Sequence, residues 1–81
     1  NIPVLDQIKW ALRQIYYRER TYFETYNRFT KSLKELELVD TPRENVPWPP
    51  NLQLTPSGWE AYIENGGQKI FIRKDGKVWV E

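Results

Sequence analysis

The last 23 residues of the chain alternate apolar and polar side chains in three short runs, and this pattern limits the fold more than any other feature. The runs cover residues 59–64, 69–73 and 77–81, and glycine-containing turn sequences separate them. A period of two is typical of a half-buried β-strand. Strands joined by turns this short are antiparallel. The pattern therefore predicts an antiparallel meander at the C-terminal end.

The register of this meander depends on the length of each turn. A two-residue turn at 66–67 places Tyr62 opposite Phe71. For the second turn, a two-residue loop would place Ile72 opposite Trp79, whereas a three-residue loop places Phe71 opposite Trp79. The choice matters because a slip of one residue moves every side chain to the other face.

The three-residue loop is the better choice because the apolar side chains then lie on one face of the sheet and the charged side chains on the other. One face alternates charges of opposite sign, as a solvated face does, and a row of three aromatic side chains crosses its centre: Tyr62, Phe71 and Trp79. The other face is entirely apolar and is expected to pack on a helix. It consists of Trp59, Ala61, Ile63, Ile70, Ile72, Val78 and Val80.

The first half of the chain, residues 1–39, has helical periodicity. Pro3 suits a first helical turn, and Asn27 can adopt the left-handed conformation that closes a helix. Thr30 or Ser32 can then cap a second, short helix. At about 100° per residue, the apolar side chains of the long helix form one sector that is expected to cover the sheet. This sector comprises Val4, Leu5, Ile8, Ala11, Leu12, Ile15, Tyr16, Tyr22, Phe23 and Tyr26.

The middle of the chain, residues 40–58, contains five of the six prolines and reads as an ordered loop. The segment 45–52 cannot join a central strand and should run extended, with the stiffness of polyproline. Residues 52–55 can add a short edge strand, and Trp48 is expected to anchor the loop by packing. The whole chain is thus predicted to be a single α+β domain, with a long N-terminal helix packed on a three- to four-stranded antiparallel sheet.

Two features of the long helix depart from a simple amphipathic pattern. Glu19 projects into the apolar sector, and a buried carboxylate requires a hydrogen bond or a partner charge. We expect Glu19 to fix the position of the helix by bonding a backbone N–H, a tyrosine hydroxyl or an arginine. A role as a general acid is less well supported, because no second titratable group is suitably spaced.

On the opposite side of the helix, Trp10 and Tyr17 flank Arg13, which predicts either a docking surface or ordinary partial exposure.

Composition excludes several classes of function. The chain has no cysteine, histidine or methionine, and its net charge is +1. Zinc sites, iron–sulfur sites and other cofactors are therefore not expected. A nucleic-acid partner is not expected either, because the sequence contains no cluster of basic residues. No apolar run approaches a membrane span. There is no paired acid and base, no phosphate loop and no nucleophile elbow, so we expect no enzyme activity. The absence of an initiating methionine suggests a piece of a longer protein.

Three interpretations of the aromatic residues remain open. The domain can dock on an adjacent domain of the same polypeptide or on another protein, through the helix surface or through the row. Tyr62, Phe71 and Trp79 can instead form a flat platform for sugar rings, whose C–H faces stack on aromatic rings. The third interpretation is that the cross-strand aromatic pairs only stabilise the sheet.

The order of elements resembles the soluble part of type IV pilins and secretion-system pseudopilins. In those families a long helix ends in an aromatic stretch followed by a Ser-Leu-x-x-Leu sequence, a loop and an antiparallel meander. Residues 26–29 and 32–36 match this stretch here. The resemblance implies the soluble domain of a pilin-like assembly protein.

The chain also resembles the C-terminal region of secreted bacterial proteins that carry a domain related to the family 9 carbohydrate-binding modules. This resemblance implies an extracytoplasmic accessory domain of a carbohydrate-related protein, in the periplasm, on the outer surface or secreted. The segments that carry it are 9–13, 16–17, 22–23, 32–36, 54–59 and 75–79.

Overall fold

The computed structural model describes residues 3–40 and 46–81, in which one helix packs on a four-stranded antiparallel sheet. Helix α1 spans Val4–Tyr26. The strands are β1 (Asn51–Thr55), β2 (Gly58–Asn65), β3 (Gln68–Arg73) and β4 (Val78–Val80), in the spatial order β1-β2-β3-β4. The predicted α+β arrangement is confirmed. Pro42 and Asn45 of the predicted loop lie outside the described residues.

Both predicted turns of the sheet are confirmed. Tyr62 lies opposite Phe71 across β2 and β3, and Phe71 lies opposite Trp79 across β3 and β4. The second turn has three residues and closes with a hydrogen bond of 2.9 Å from the Gly76 N–H to the Arg73 carbonyl. Gly76 has a φ of 83°, a left-handed conformation that glycine adopts at no steric cost.

The apolar face of β2 and β3 lies under the helix, as the alternation predicts, whereas Val80 on the edge strand β4 is 38% exposed. Helix α1 contacts β2 and β3, and the sheet and helix residues interleave in one core. The cluster extends to the chain after the helix. Its members are Ile8, Ala11, Leu12, Ile15, Tyr22, Leu36, Leu38, Val46, Trp59, Ala61, Ile63, Ile70 and Ile72.

The apolar sector of the helix is only partly covered. Val4, Leu5, Phe23 and Tyr26 are all exposed to a third or more. The buried positions fall in the middle of the helix, where the strands lie against it, because the helix is longer than the sheet it covers. Sequence periodicity identifies the apolar side of a helix but not the length of its partner.

The segment after α1 differs from the prediction at one point. Asn27 closes the helix with a φ of 57° and a 2.7 Å bond from its N–H to the Phe23 carbonyl, as expected. Residues 33–37 then form a single turn in place of a second helix. Ser32 caps this turn by accepting the Glu35 N–H, but the turn ends at once because Glu37 is left-handed, with a φ of 61°. The Leu38 N–H bonds the Leu33 carbonyl at 2.8 Å, which is the pattern that terminates helices.

The proline segment bends at residues 46, 48 and 49, and its Trp48–Pro49 peptide bond is cis. The expectation of an extended, polyproline-like course is therefore wrong for this stretch. Trp48 does anchor it, because its ring packs on the core and its Nε1–H donates a 3.0 Å bond to the Leu38 carbonyl. The indole thus ties the loop to the turn that follows α1.

Candidate functional site

The aromatic row lies on the solvent face of the sheet, with one residue on each of three neighbouring strands. Tyr62 and Phe71 have ring centroids 5.1 Å apart, and Phe71 and Trp79 have centroids 5.0 Å apart. All three side chains are half-buried. The structure therefore brings together the three residues that the sequence proposes as a ligand surface.

The rings overlap rather than lying side by side in one plane. Phe71 and Trp79 are inclined to each other by only 6° at a centroid distance of 5.0 Å, which is an offset stack. Neighbouring strands are about 4.8 Å apart, which is less than the width of an aromatic ring. Rings on adjacent strands therefore overlap face to face, and the flat platform expected from the sequence does not form at this pair.

Trp79 is the terminal ring of the row. It lies on β4, which is an edge strand, so no further strand covers the side of the indole away from Phe71. A shallow depression of about 240 Å³ is lined by Trp79, Arg73 and Lys77. The indole Nε1–H donates a 2.7 Å hydrogen bond to the Glu81 carboxylate, which orients the ring. The sheet edge at Trp79 is thus the part of the row most open to a planar ligand.

Cations lie close to both ends of the row. The Lys69 Nζ is 5.3 Å from the Tyr62 ring centroid, and the Arg73 guanidinium carbon is 5.4 Å from the Trp79 centroid. These distances are within the range of cation–π attraction. Arg73 is also held by a 3.2 Å ion pair to Asp75, and the hydrogen bond from the Lys77 N–H lowers the pKa of Asp75. The aromatic surface therefore carries exposed hydrogen-bond donors at its margin.

Strand β1 adds two polar residues that sequence reasoning did not assign to this surface. Asn51 lies opposite Tyr62, and Gln53 lies opposite Glu60, so both amides share the face of the row. The sequence contains the signal, because a two-residue turn at 56–57 fixes Thr55 opposite Gly58 and hence the whole register of β1.

The helix surface proposed for docking is also exposed, on the other side of the domain. Trp10 is 38% exposed and Tyr17 is 53% exposed, with exposed Arg13 between them in the sequence. The Tyr17 ring meets the Tyr16 ring edge to face, at a centroid distance of 5.5 Å. Because α1 covers the opposite face of the sheet, this surface and the aromatic row cannot contact the same small ligand.

Glu19 is a buried and hydrogen-bonded carboxyl group, as its position in the apolar sector predicts. It is 0% exposed, and its Oε1 accepts a 3.0 Å bond from the Thr30 N–H. Its Oε2 is buried and has no hydrogen-bond partner among the described residues. Burial raises the pKa of Glu19 from 4.5 to about 7. The bond to Thr30 fixes the chain after α1 against the helix.

Within residues 3–40 and 46–81, no group of three or more acidic side chains is placed to hold a metal ion. In the same residues, no helix combines the length and apolar character needed to cross a bilayer. Comparison of the chain with protein-family models, curated proteins and solved structures found no match.

Replacing Trp79 by alanine is expected to lower the free energy of unfolding by only about 1 kcal/mol, because the indole contributes a cross-strand contact and not core packing. Truncating a fully buried tryptophan lowers it by about 3–5 kcal/mol. Urea denaturation followed by circular dichroism measures the difference. Tyr17→Ala, at an exposed aromatic on the helix, is the matched control. A loss of several kcal/mol for Trp79→Ala would show that the row belongs to the core.

Proposed function

We propose that this domain is a non-catalytic accessory module of an exported, carbohydrate-related protein, and that it contacts a glycan with the aromatic row. The observation that carries the proposal is the ordered row of three aromatic rings on the solvent face of a sheet whose other face already packs on the helix. The resemblance of the chain to accessory regions beside family 9-like modules supports the exported, sugar-related context.

The chemistry of the row suits a pyranose ring. The C–H face of a sugar is apolar and packs on an aromatic face, while its equatorial hydroxyls point outward to polar groups. At the Trp79 end, Arg73 and Lys77 line the adjacent depression and provide donors. At the Tyr62 end, Lys69 and Asn51 provide an ammonium and an amide. The surface thus combines an apolar strip with polar groups on its sides, as ligand sites do.

The stacking of the rings sets an expectation for ligand size. Because the Phe71 ring covers one face of the Trp79 indole, a pyranose can stack only on the other face, which has room for one sugar ring. We therefore expect a longer oligosaccharide to gain little affinity over a disaccharide.

Isothermal titration with β-1,4-linked glucose, xylose and N-acetylglucosamine oligosaccharides, and with α-1,4-linked glucose oligosaccharides, tests the proposal. At least one series should bind with a Kd near the millimolar range. Trp79→Ala should weaken that binding about fivefold, because an aromatic contact contributes about 1 kcal/mol. Trp10→Ala, on the far side of the domain, should not change it. Binding that Trp79→Ala and Tyr62→Ala leave intact would contradict the proposal, as would no binding in any series.

A pilin- or pseudopilin-like assembly domain is the alternative, and the packing of one long helix on an antiparallel meander is the observation that favours it. In that case the contact surface is a protein interface, and the helix surface of Trp10, Arg13 and Tyr17 is the better candidate. This alternative predicts self-association without any sugar, centred on these three residues.

A further inference from the structure

A second concave site lies at the edge between α1 and the sheet, away from the aromatic row. It is a cleft of about 310 Å³, at the lower end of the range for small-molecule sites. Four of its lining residues are aromatic: Tyr16, Phe23, Phe29 and Trp59. Trp59 is 2% exposed, whereas Phe23 is 40% exposed. One side of the cleft is therefore formed by a core residue and the other by an exposed apolar wall.

The open wall consists of two stacked phenylalanines. The Phe23 and Phe29 rings have centroids 4.7 Å apart and are inclined by 30°. Phe23 belongs to the apolar sector of α1 but is one of its exposed members, beyond the part of the sector that the sheet buries. The left-handed Asn27 reverses the chain and returns Phe29 to this position. An apolar surface of this shape favours a planar, apolar ligand group.

One cation at the rim has no ion-pair partner in the described part of the chain. Arg20 and Glu24 both line the cleft and lie 3.9 Å apart, so together they add no net charge. Lys74 also lines it, and no carboxylate of the described residues lies within 4.0 Å of its ammonium. The net charge of the cleft is therefore positive and is contributed by Lys74.

The aliphatic stem of Lys74 lies beside Gly58, the first residue of β2. A Cβ at position 58 would lie 2.5 Å from the Lys74 Cδ, so only glycine lets the lysine pack this closely. Gly58 also has a φ of 148°, which side chains with a Cβ rarely adopt. Lys74 is thus an exposed lysine whose stem passes close to the backbone at the mouth of an aromatic cleft.

From these contacts we propose that the cleft binds a small aromatic carboxylate. The ring of the ligand packs among Phe23, Phe29 and Tyr16, and its carboxylate faces Lys74. The charge complementarity with Lys74 distinguishes this ligand from a neutral aromatic compound or a sugar. The site is independent of the aromatic row, because it lies on the helix side of the sheet.

Phenylacetate and its neutral isostere phenylacetamide are the probes, titrated into the 81-residue chain and followed by ¹H–¹⁵N NMR. Both should shift the Trp59 indole and the backbone signals around Phe23 and Phe29 in a saturable manner. The acid should bind about threefold more tightly than the amide, because a solvent-accessible ion pair adds only a modest attraction. Raising the salt concentration should remove this preference and leave the amide unaffected.

Two variants separate the apolar and the charged contributions. Lys74→Gln should bind acid and amide equally, whereas Lys31→Gln, an exposed lysine outside the cleft, should keep the threefold preference. Phe23→Ala should weaken both ligands. Equal affinity of acid and amide for the unaltered chain overturns the proposal, as do a preference that survives Lys74→Gln, an affinity unchanged by Phe23→Ala, or shifts that do not map to the cleft.

Discussion

A chain carrying Ile72→Asp is expected to be unfolded at neutral pH. Ile72 is 0% exposed and lies at the centre of the sheet face that packs on α1. Truncating a buried isoleucine costs about 2–5 kcal/mol, and burying an unpaired carboxylate costs several kcal/mol more. The whole stability of a small domain is about 5–15 kcal/mol. The expected result is a circular dichroism spectrum without the helical minima and an NMR spectrum without dispersion.

Two controls isolate burial as the cause. Ile72→Val keeps an apolar residue at the site and should lower the free energy of unfolding by only about 1 kcal/mol. Gln68→Asp places the same carboxylate at an exposed position of the same strand, and should cost less than about 1 kcal/mol. A folded Ile72→Asp variant, or a Gln68→Asp variant as damaged as Ile72→Asp, would show that the face assignment is wrong.

Raising the pH from 5 to 8 is expected to lower the free energy of unfolding by about 2.5 kcal/mol through Glu19. The pKa of Glu19 is about 7 in the folded protein, against an ordinary value of 4.5, because burial penalises the charged form. The folded state therefore holds this proton more tightly than the unfolded state. The stabilisation is complete below pH 4.5, declines as the pH rises towards 7 and is lost above it.

Glu35, which lies near Glu19, gives the free energy of unfolding the opposite pH dependence at lower pH. Thr30 donates its N–H to Glu19 and its hydroxyl to Glu35, and Glu35 also accepts a 2.9 Å bond from the Tyr22 hydroxyl. These hydrogen bonds lower the pKa of Glu35, with Arg28 contributing attraction. Its stabilisation is present above pH 4.5 and is lost as the pH falls. Maximum stability is therefore expected near pH 5.

Glu19→Gln is the decisive variant for this profile. The glutamine can still accept the Thr30 N–H but cannot ionise, so its free energy of unfolding should change little between pH 5 and 8 and should exceed that of the unaltered chain at pH 8. Glu24→Gln removes an exposed carboxylate from the same helix and should keep the full decline. Urea midpoints at each pH give the comparison. A decline of the same size in Glu19→Gln would assign the pH dependence to another group.

The register of the sheet follows from local rules that the sequence displays. The alternation of residues 59–81 permits two registers at the second turn, and only the one with Phe71 opposite Trp79 separates apolar from charged side chains. Packing of the apolar face on α1 enforces that separation, so the structure has the same register. The hydrogen bond of Glu19 could also be predicted from the sequence, because a carboxyl group in an apolar sector needs a donor. The Thr30 N–H provides that donor.

Other features depend on distances that no local pattern encodes. The stacking of Phe71 on Trp79 comes from the spacing of the strands, and the single turn in place of a second helix comes from the left-handed Glu37. The cleft forms only because Phe29 and Lys74, which are distant in sequence, line the same concave surface. The aromatic row could therefore be predicted from the sequence as a candidate site, whereas the cleft could not.

The four tryptophan indoles offer the most direct test of the proposed glycan contact, because each reports on a different part of the domain. Trp79 ends the aromatic row, Trp10 lies on the exposed side of α1, Trp59 is in the core, and Trp48 bonds the Leu38 carbonyl. In a ¹H–¹⁵N NMR titration with the best-binding oligosaccharide, only the Trp79 indole signal should shift and saturate. A shift of Trp10 alone, or four unchanged indole signals at saturating sugar, would contradict the assignment of the row as the contact surface.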